Sequence, residues 1–285
     1  MSADASPAAT SVGAAIRSAA ERLAATSDTA RLDAELLMAQ ALGATRSDLL
    51  VRHMRDAEPA GFAALIERRA RHEPVAHILG RQEFYGLDLS VTPDTLIPRG
   101  DSETLIEAAR AWFAARPHPA RILDLGTGSG ALLLAALSLW PEAEGVALDA
   151  SEPALAVAGD NAAQLGMGDR VTLRHVDWRQ PDWAEGLGRF DLVLCNPPYV
   201  ETDAELAPSV RDHEPAQALF AGAEGLDDYR ILIPALRGLM ADGALAILEI
   251  GAGQADDVGS LASAAGFAAA LHHDLAGRPR ALLLT

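Results

Sequence analysis

Apolar residues recur every three or four positions between Ser11 and Arg71, as in Ile16, Ala20 and Leu23 and then Leu32, Leu36 and Leu37, and nothing there alternates with period two. That spacing predicts helices, hence a small helical N-terminal domain over residues 1–73. Asp28 and Ser47 stand where N-caps are expected, and Gly43 where a helix should stop. After Pro74 the pattern changes: residues 84–91 alternate around Gly86 and predict a strand pair, so 74–100 is expected to be a β-hairpin connector. Asp101 is placed to cap a further helix that buries Leu105, Ile106, Ala109, Trp112 and Phe113.

From Arg121 onward, short apolar runs at 122–125, 146–149, 171–176, 190–195, 244–250 and 268–272 alternate with helical segments. Such alternation predicts βαβ units and an α/β domain over 101–285 with a mostly parallel sheet. A last run, 280–285, follows the sixth across Gly277 and Pro279 and is expected to close the sheet antiparallel. The glycines and prolines punctuate this frame rather than forming any repeat or low-complexity tract.

Composition changes the picture in three ways. Forty acidic against 23 basic side chains give a net charge of −17, which repels phosphate backbones and argues against nonspecific nucleic-acid binding. All 23 basic residues are Arg and none is Lys; with the abundance of Ala, this reads as GC-rich codon usage rather than chemistry. The single cysteine, Cys195, excludes a disulfide framework and fits a reducing cytosol. The richest apolar run, 131–140, stops at Pro141, well short of the ~20 residues of a membrane helix. No basic cluster precedes an apolar run at the N-terminus, so a cytoplasmic, soluble protein with no membrane partner is expected.

Two segments carry candidate chemistry. Gly126, Thr127, Gly128, Ser129 and Gly130 end the first α/β strand and open a helix at Ala131. Glycines permit a tight turn and close ligand approach, and a helix N-terminus offers N–H groups. Asp149, at the end of the second strand, suits a ribose hydroxyl pair. These features leave two cofactors open, because Gly126, Gly128 and Ala131 also satisfy the loose dinucleotide pattern of a nicotinamide dehydrogenase. The fourth strand then runs into Asn196, Pro197, Pro198 and Tyr199, beyond a strand carboxyl end, where open α/β sheets bind ligands. The prolines stiffen the backbone, so the Asn196 amide and the Pro197 carbonyl form a rigid acceptor pair able to hold a planar NH2 group, with Tyr199 as a stacking wall. The dehydrogenase reading leaves that tetrapeptide unexplained.

Together, the Gly-rich loop, Asp149 and Asn196 to Tyr199 resemble the class I S-adenosylmethionine-dependent methyltransferases that act on planar nitrogen. Further stretches narrow the resemblance: Pro74 to Gly80, Glu83-Phe84-Tyr85, Leu96 to Arg99, Asp177-Trp178, Glu214-Pro215, Ala218 to Gly222 with Gly225-Leu226, and Asp274 to Arg278. From about residue 12 on, the chain is similar to the release factor glutamine N5-methyltransferase family, also called HemK or PrmC. The resemblance implies a Rossmann-like, mostly parallel seven-stranded sheet behind an N-terminal helical domain that helps dock a protein substrate. It implies S-adenosylmethionine bound by Gly126, Thr127, Gly128, Ser129, Gly130, Asp149, Trp178 and Asn196, with Trp178 in the adenine pocket, and no metal. It places Asn196, Pro197, Pro198 and Tyr199 around the substrate, the glutamine of the Gly-Gly-Gln motif in class I peptide chain release factors, with Asn196 and Pro197 catalytic.

The chain departs from the family pattern at Gly100 and Ser102, where Pro and Thr are usual, at His213, where an aromatic is common, and at Pro279. Within the family, a ribosomal protein glutamine N5-methyltransferase shares the chemistry, but the retained Asp101 and Glu103 favour the release factor branch. A DNA adenine N6-methyltransferase would use the same acceptors, yet the charge of −17 and the lack of a basic recognition domain weigh against it. Cys195 ends an apolar strand and reads as a buried thiol, not a nucleophile. His72, His77, His272 and His273 do not fall at metal-ligand spacing with carboxylates. Arg68, Arg69 and Arg71 read as a solvated basic face.

Overall fold

Helix Val12–Leu23 starts at Ser11, whose hydroxyl accepts from the Ala14 N–H at 3.3 Å, and buries Val12, Ile16, Ala19 and Leu23 on one face. Helix Ala30–Leu42 ends at Gly43, which takes the left-handed conformation (φ 64°) expected of a helix stop. With helices Phe62–Ala70 and Val75–Leu79, these surround a core of Ile16, Leu37, Met38, Leu49, Phe62, Ile66 and Ile78. In this computed structural model, which describes residues 10–285, the chain divides into two compact units. The first runs to Gly80 and also takes in residues 207–213; the second comprises 81–206 and 214–285.

Several local expectations fail in the first unit. The helix at 30 is preceded by Thr29 rather than Asp28, and the cap near 47 is Thr45, whose hydroxyl accepts from the Asp48 N–H at 3.1 Å. Leu32 points outward while Asp33 and Glu35 are buried, because each carboxylate has cationic partners. Arg69, expected in solvent, is itself buried and donates to Asp33 at 2.7 Å, and Glu35 takes Arg31 and Arg46. A buried ion pair is costly to split. Asp33→Ala, which strands Arg69, is expected to cost about 3 kcal/mol, read as a lowered first unfolding midpoint in a thermal scan; an unchanged midpoint would mean that solvent reaches the guanidinium.

In the second unit, strands β1 (Arg81–Phe84) and β2 (Leu87–Ser90) form a hairpin turned by Tyr85 and Gly86, both at positive φ. The large sheet holds β3 (Arg121–Leu125), β4 (Glu144–Asp149), β5 (Val171–His175), β6 (Phe190–Cys195), β7 (Met240–Glu249), β8 (Ala269–His273) and β9 (Pro279–Leu284). Their order is β5-β4-β3-β6-β7-β9-β8, parallel from β5 to β7, with β9 antiparallel to both neighbours. The central strands are apolar on both faces because both are covered. Ile122, Leu192, Leu194, Leu245 and Ile247 pack with helices Glu103–Phe113 and Ala131–Leu139, while Leu123, Leu125, Val193, Cys195 and Leu248 pack with helix Asp227–Leu239. The order reverses between β3 and β6, and such a switch point opens a crevice beyond the strand ends.

Asp101 does not cap the helix that follows. Helix Glu103–Phe113 begins after a short 3-10 turn, Gly100–Ser102, and Asp101 instead accepts from Arg278 at 2.9 Å and Arg280 at 3.2 Å. Glu103 is likewise diverted, accepting from the Tyr85 N–H at 3.0 Å. Trp112 is only partly buried against the core that takes Leu105, Ile106, Ala109 and Phe113.

Candidate active site

The ends of β3, β4 and β6 border an open cleft, a concave site of the kind that takes a small ligand. Gly126, Thr127, Gly128, Ser129, Asp149, Trp178, Asn196 and Pro198 line it, together with Asp177, Arg99 and Phe84. Gly130 ends the loop just before the helix at 131. Its φ of 85° and the Leu134 side chain, 3.1 Å from where a Cβ would stand, explain the glycine there. At Gly126 (φ 73°) a Cβ would stand 3.0 Å from the Trp178 ring, so the indole lies directly against this end of the loop. Trp178 is fixed by its Nε1–H, which donates to buried Asp228 at 2.7 Å, and Arg179 Nη2 donates to both oxygens of the same carboxylate at 2.9 Å.

The loop N–H groups are largely spent within the protein. Those of Gly126 and Thr127 donate to the Leu148 carbonyl at 2.9 Å, that of Gly128 to Asp149 Oδ2 at 2.9 Å, and that of Gly130 to Thr127 O at 2.8 Å. Asp149 also accepts from the Ser151 N–H at 2.9 Å, yet a carboxylate has about four acceptor sites in all and keeps capacity for hydroxyl donors. Burial raises the Asp149 carboxyl, opposed by these backbone donors.

Behind the loop, Asp124 is fully buried and accepts from Thr127 Oγ1 at 2.7 Å, while its Oδ1 has no partner among the described residues. Desolvation pushes this carboxyl from 3.8 up to about 7. The folded chain therefore holds that proton more tightly than the unfolded one. The resulting stability is fully present below pH 4 and is lost as pH rises through about 7, on the order of 4 kcal/mol in all. In Asp124→Asn the decline of the melting temperature between pH 5 and pH 7 is expected to flatten; an equal slope in both proteins would assign the decline elsewhere.

Asn196 and Pro198 reach the cleft wall, and the Asn196 Oδ1 is buried without a hydrogen-bond partner among the described residues. A buried, unpaired acceptor is costly to maintain and marks a place where a donor arrives from outside. Pro197 is buried beside it. Tyr199 is less free than a stacking wall would be: its hydroxyl donates to Glu249 at 3.2 Å and its ring packs against the second core cluster. Cys195 is buried in that cluster, and burial pushes its thiol well up, which suits packing and not nucleophilic attack.

Sequence reading missed Asn161 and the partner of Arg99. Asn161 is fully buried; it donates to Ser129 O at 2.9 Å and exchanges two hydrogen bonds with the Ser90 backbone, tying the Gly-rich loop to β2. Glu214 accepts from Arg99 and, at 3.1 Å, from the Ile97 N–H, joining two loops of the cleft wall. The Asn161 pairs lie 32 and 71 residues apart and the Glu214 pairs 115 and 117, so neither leaves a local pattern. Among the described residues no cluster of His, Cys, Asp or Glu is arranged to hold a metal, and no helix is long and apolar enough to cross a membrane.

The same architecture recurs in solved structures. The hMettl16 catalytic domain in complex with an RNA hairpin is 15% identical at a TM-score of 0.56, covering 78% of this chain and 81% of that one. A ribosomal protein L11 methylase from Lactobacillus delbrueckii subsp. bulgaricus is 22% identical at 0.50, over 68% and 83%. At such identities the likeness is one of fold, that of the class I methyltransferases. A family model described as the PrmC N-terminal domain matches residues 14–80, and one described as a methyltransferase domain matches 122–211. Release factor glutamine methyltransferases of Cereibacter sphaeroides and Bradyrhizobium diazoefficiens are 43% and 41% identical, covering 93% and 95% of this chain and 95% and 94% of theirs. That of Geobacter sulfurreducens is 42% identical over 84% of each chain. Likeness at this level, running through both the helical and the sheet regions, means that the chain belongs to the release factor glutamine methyltransferase family.

Proposed function

We propose that this chain transfers the methyl group of S-adenosylmethionine to the N5 side-chain amide nitrogen of the glutamine in the Gly-Gly-Gln motif of class I peptide chain release factors. The observation that carries the reading is the buried, unpaired Asn196 Oδ1 in the cleft that also holds the Gly-rich loop. The cleft residues fit the cofactor: a loop that a Cβ at Gly126 would obstruct, a carboxylate at Asp149 with acceptor capacity left for ribose hydroxyls, and the Trp178 indole as an apolar wall. Bound there, the cofactor supplies an electrophilic methyl group on a sulfonium.

An amide nitrogen is a poor nucleophile because its lone pair is delocalised into the carbonyl. Asn196 Oδ1 and the Pro197 carbonyl answer this by accepting the two amide protons, which returns electron density to nitrogen and aims its lone pair across the cleft. Both acceptors gain strength as positive charge develops on that nitrogen, so they favour the transition state over the bound substrate. Placement at reacting distance supplies much of the remainder. The proton becomes acidic only after transfer and leaves to water, so neither a prior general base nor a metal is required. Asp94, Asp149 and Asp177 outnumber Arg99 and Arg179 in the lining, and both arginines are paired with buried carboxylates, Glu214 and Asp228, a balance suited to a cationic cofactor. Docking of the release factor falls to the helical N-terminal domain, residues 1–73, with 74–100 as connector and 101–285 as the catalytic domain, and the work is done in the cytoplasm without nucleic acid.

The test is incubation with S-adenosylmethionine and a class I release factor, followed by mass spectrometry of the Gly-Gly-Gln peptide. One added methyl on that glutamine is expected. No gain with cofactor still bound would move the search to ribosomal proteins and then to DNA.

A further inference from the structure

We infer that the end of β7 and the turn after it form a positioning clamp: Glu249, the last residue of β7, and Gln254 grip Tyr199 at its two ends and so set the direction of the Asn196 acceptor. The kinetic part of this inference rests on the function proposed above. Tyr199 Oη donates to Glu249 Oε1 at 3.2 Å, and Gln254 Nε2 donates to the Tyr199 carbonyl at 3.1 Å and to Gly225 O at 3.2 Å. The Gln254 side chain cannot turn over without loss, because its own oxygen accepts from the Gly251 N–H at 3.0 Å. Gly225 makes room for the arrangement: a Cβ there would stand 2.3 Å from the Tyr199 carbonyl oxygen. Glu249 is buried, 1% exposed, and its main-chain carbonyl accepts from Tyr229 Oη at 2.7 Å, which holds this end of β7 in place.

None of Glu249, Gln254, Gly225 and Tyr229 is among the residues lining the cleft, so the clamp acts at one remove from substrate. Its route is the tetrapeptide itself. Asn196 Oδ1 has no partner among the described residues to orient it, so its aim is inherited from its backbone. Pro197 and Pro198 have φ locked by their rings, which makes the link from Asn196 to Tyr199 a short stiff lever. Gripping Tyr199 at hydroxyl and carbonyl fixes the far end of that lever. A displacement of about 1 Å at a reacting group costs up to a hundredfold in rate.

The chain holds two asparagines, Asn161 and Asn196, so asparagine-selective 15N labelling of the full protein gives two side-chain amide signals, assigned by loss of one in Asn196→Ala. In Gln254→Ala, without substrate, the Asn196 signal is expected to shift or broaden while that of Asn161 stays. With substrate, kcat should fall roughly tenfold to a hundredfold at unchanged KM for the cofactor. The same change made in Asn196→Ala should cost nothing further, and Gln254→Glu, which cannot donate, should behave as Gln254→Ala. An unmoved Asn196 signal with unchanged kcat would overturn the clamp. So would an equal loss in both backgrounds, which is what a merely structural role gives. If Gln254→Ala fails to fold, Tyr199→Phe, which removes one hydroxyl from a packed ring, is read by the same two signals. A wild-type chain that leaves release factors unmethylated would sink the functional reading alone, since the Asn196 signal still decides the clamp.

Discussion

Asn196→Ala is expected to slow methyl transfer by on the order of 10²-fold or more while leaving S-adenosylmethionine bound. The asymmetry follows from where the side chain sits. Its oxygen is a buried acceptor without a hydrogen-bond partner among the described residues, whereas the cofactor loop is held by Leu148, Asp149 and Asn161, none of which touches Asn196 through a hydrogen bond. Removing the carboxamide thus takes away an interaction that strengthens only as the amide nitrogen is alkylated. Single-turnover rates by mass spectrometry and cofactor affinity by calorimetry separate the two effects. A wild-type rate in the alanine variant would place the acceptor elsewhere, and a collapse of cofactor binding would make Asn196 chiefly a cofactor residue.

The second large effect is expected at Asp149. Its two oxygens hold the N–H groups of Gly128 and Ser151, so Asp149→Ala removes a ribose partner and also releases the loop that forms the cofactor's floor. Hydrogen bonds to a charged group contribute about 1.5–3 kcal/mol each, so losing two should weaken cofactor binding by roughly 10²-fold or more. Hydrogen exchange at Gly126 and Gly128 should accelerate in the variant without cofactor, because their protection depends on the anchored loop. Affinity within experimental error of the wild type would remove Asp149 from the cofactor site.

What could be read from the sequence was whatever repeats on a local period or sits in one short string. Strand positions from Arg121 to Cys195, the Gly43 helix stop, the hairpin at Gly86 and the glycine positions that line the cleft are of that kind, since each depends on neighbours a few residues away. Polar residues with two possible uses were misread. Asp101 looks like a cap but is claimed by Arg278 and Arg280, which lie at the other end of the unit's sequence, and Arg69 looks solvated but is claimed by Asp33. Tyr199 looks like an open aromatic wall, and its hydroxyl is instead engaged fifty residues away by Glu249. In each case a distant partner outweighed the local preference, and one sequence offers no register between distant segments.

The insertion of β9 between β7 and β8 bears on how the chain acquires its structure. β8 is synthesised before β9 but pairs only with it, so for a time β8 has no lasting place in the sheet, while β7 exposes a bare ladder of N–H and C=O groups. The nearest strand able to occupy that ladder is β8 itself, in a pairing that the finished sheet forbids. Open edges of this kind invite kinetic traps and association between chains. Refolding from denaturant should therefore show a slow phase in which β8 must leave before β9 can enter, and the native enzyme would owe its correct right-hand edge to the order in which strands compete as much as to their final stability.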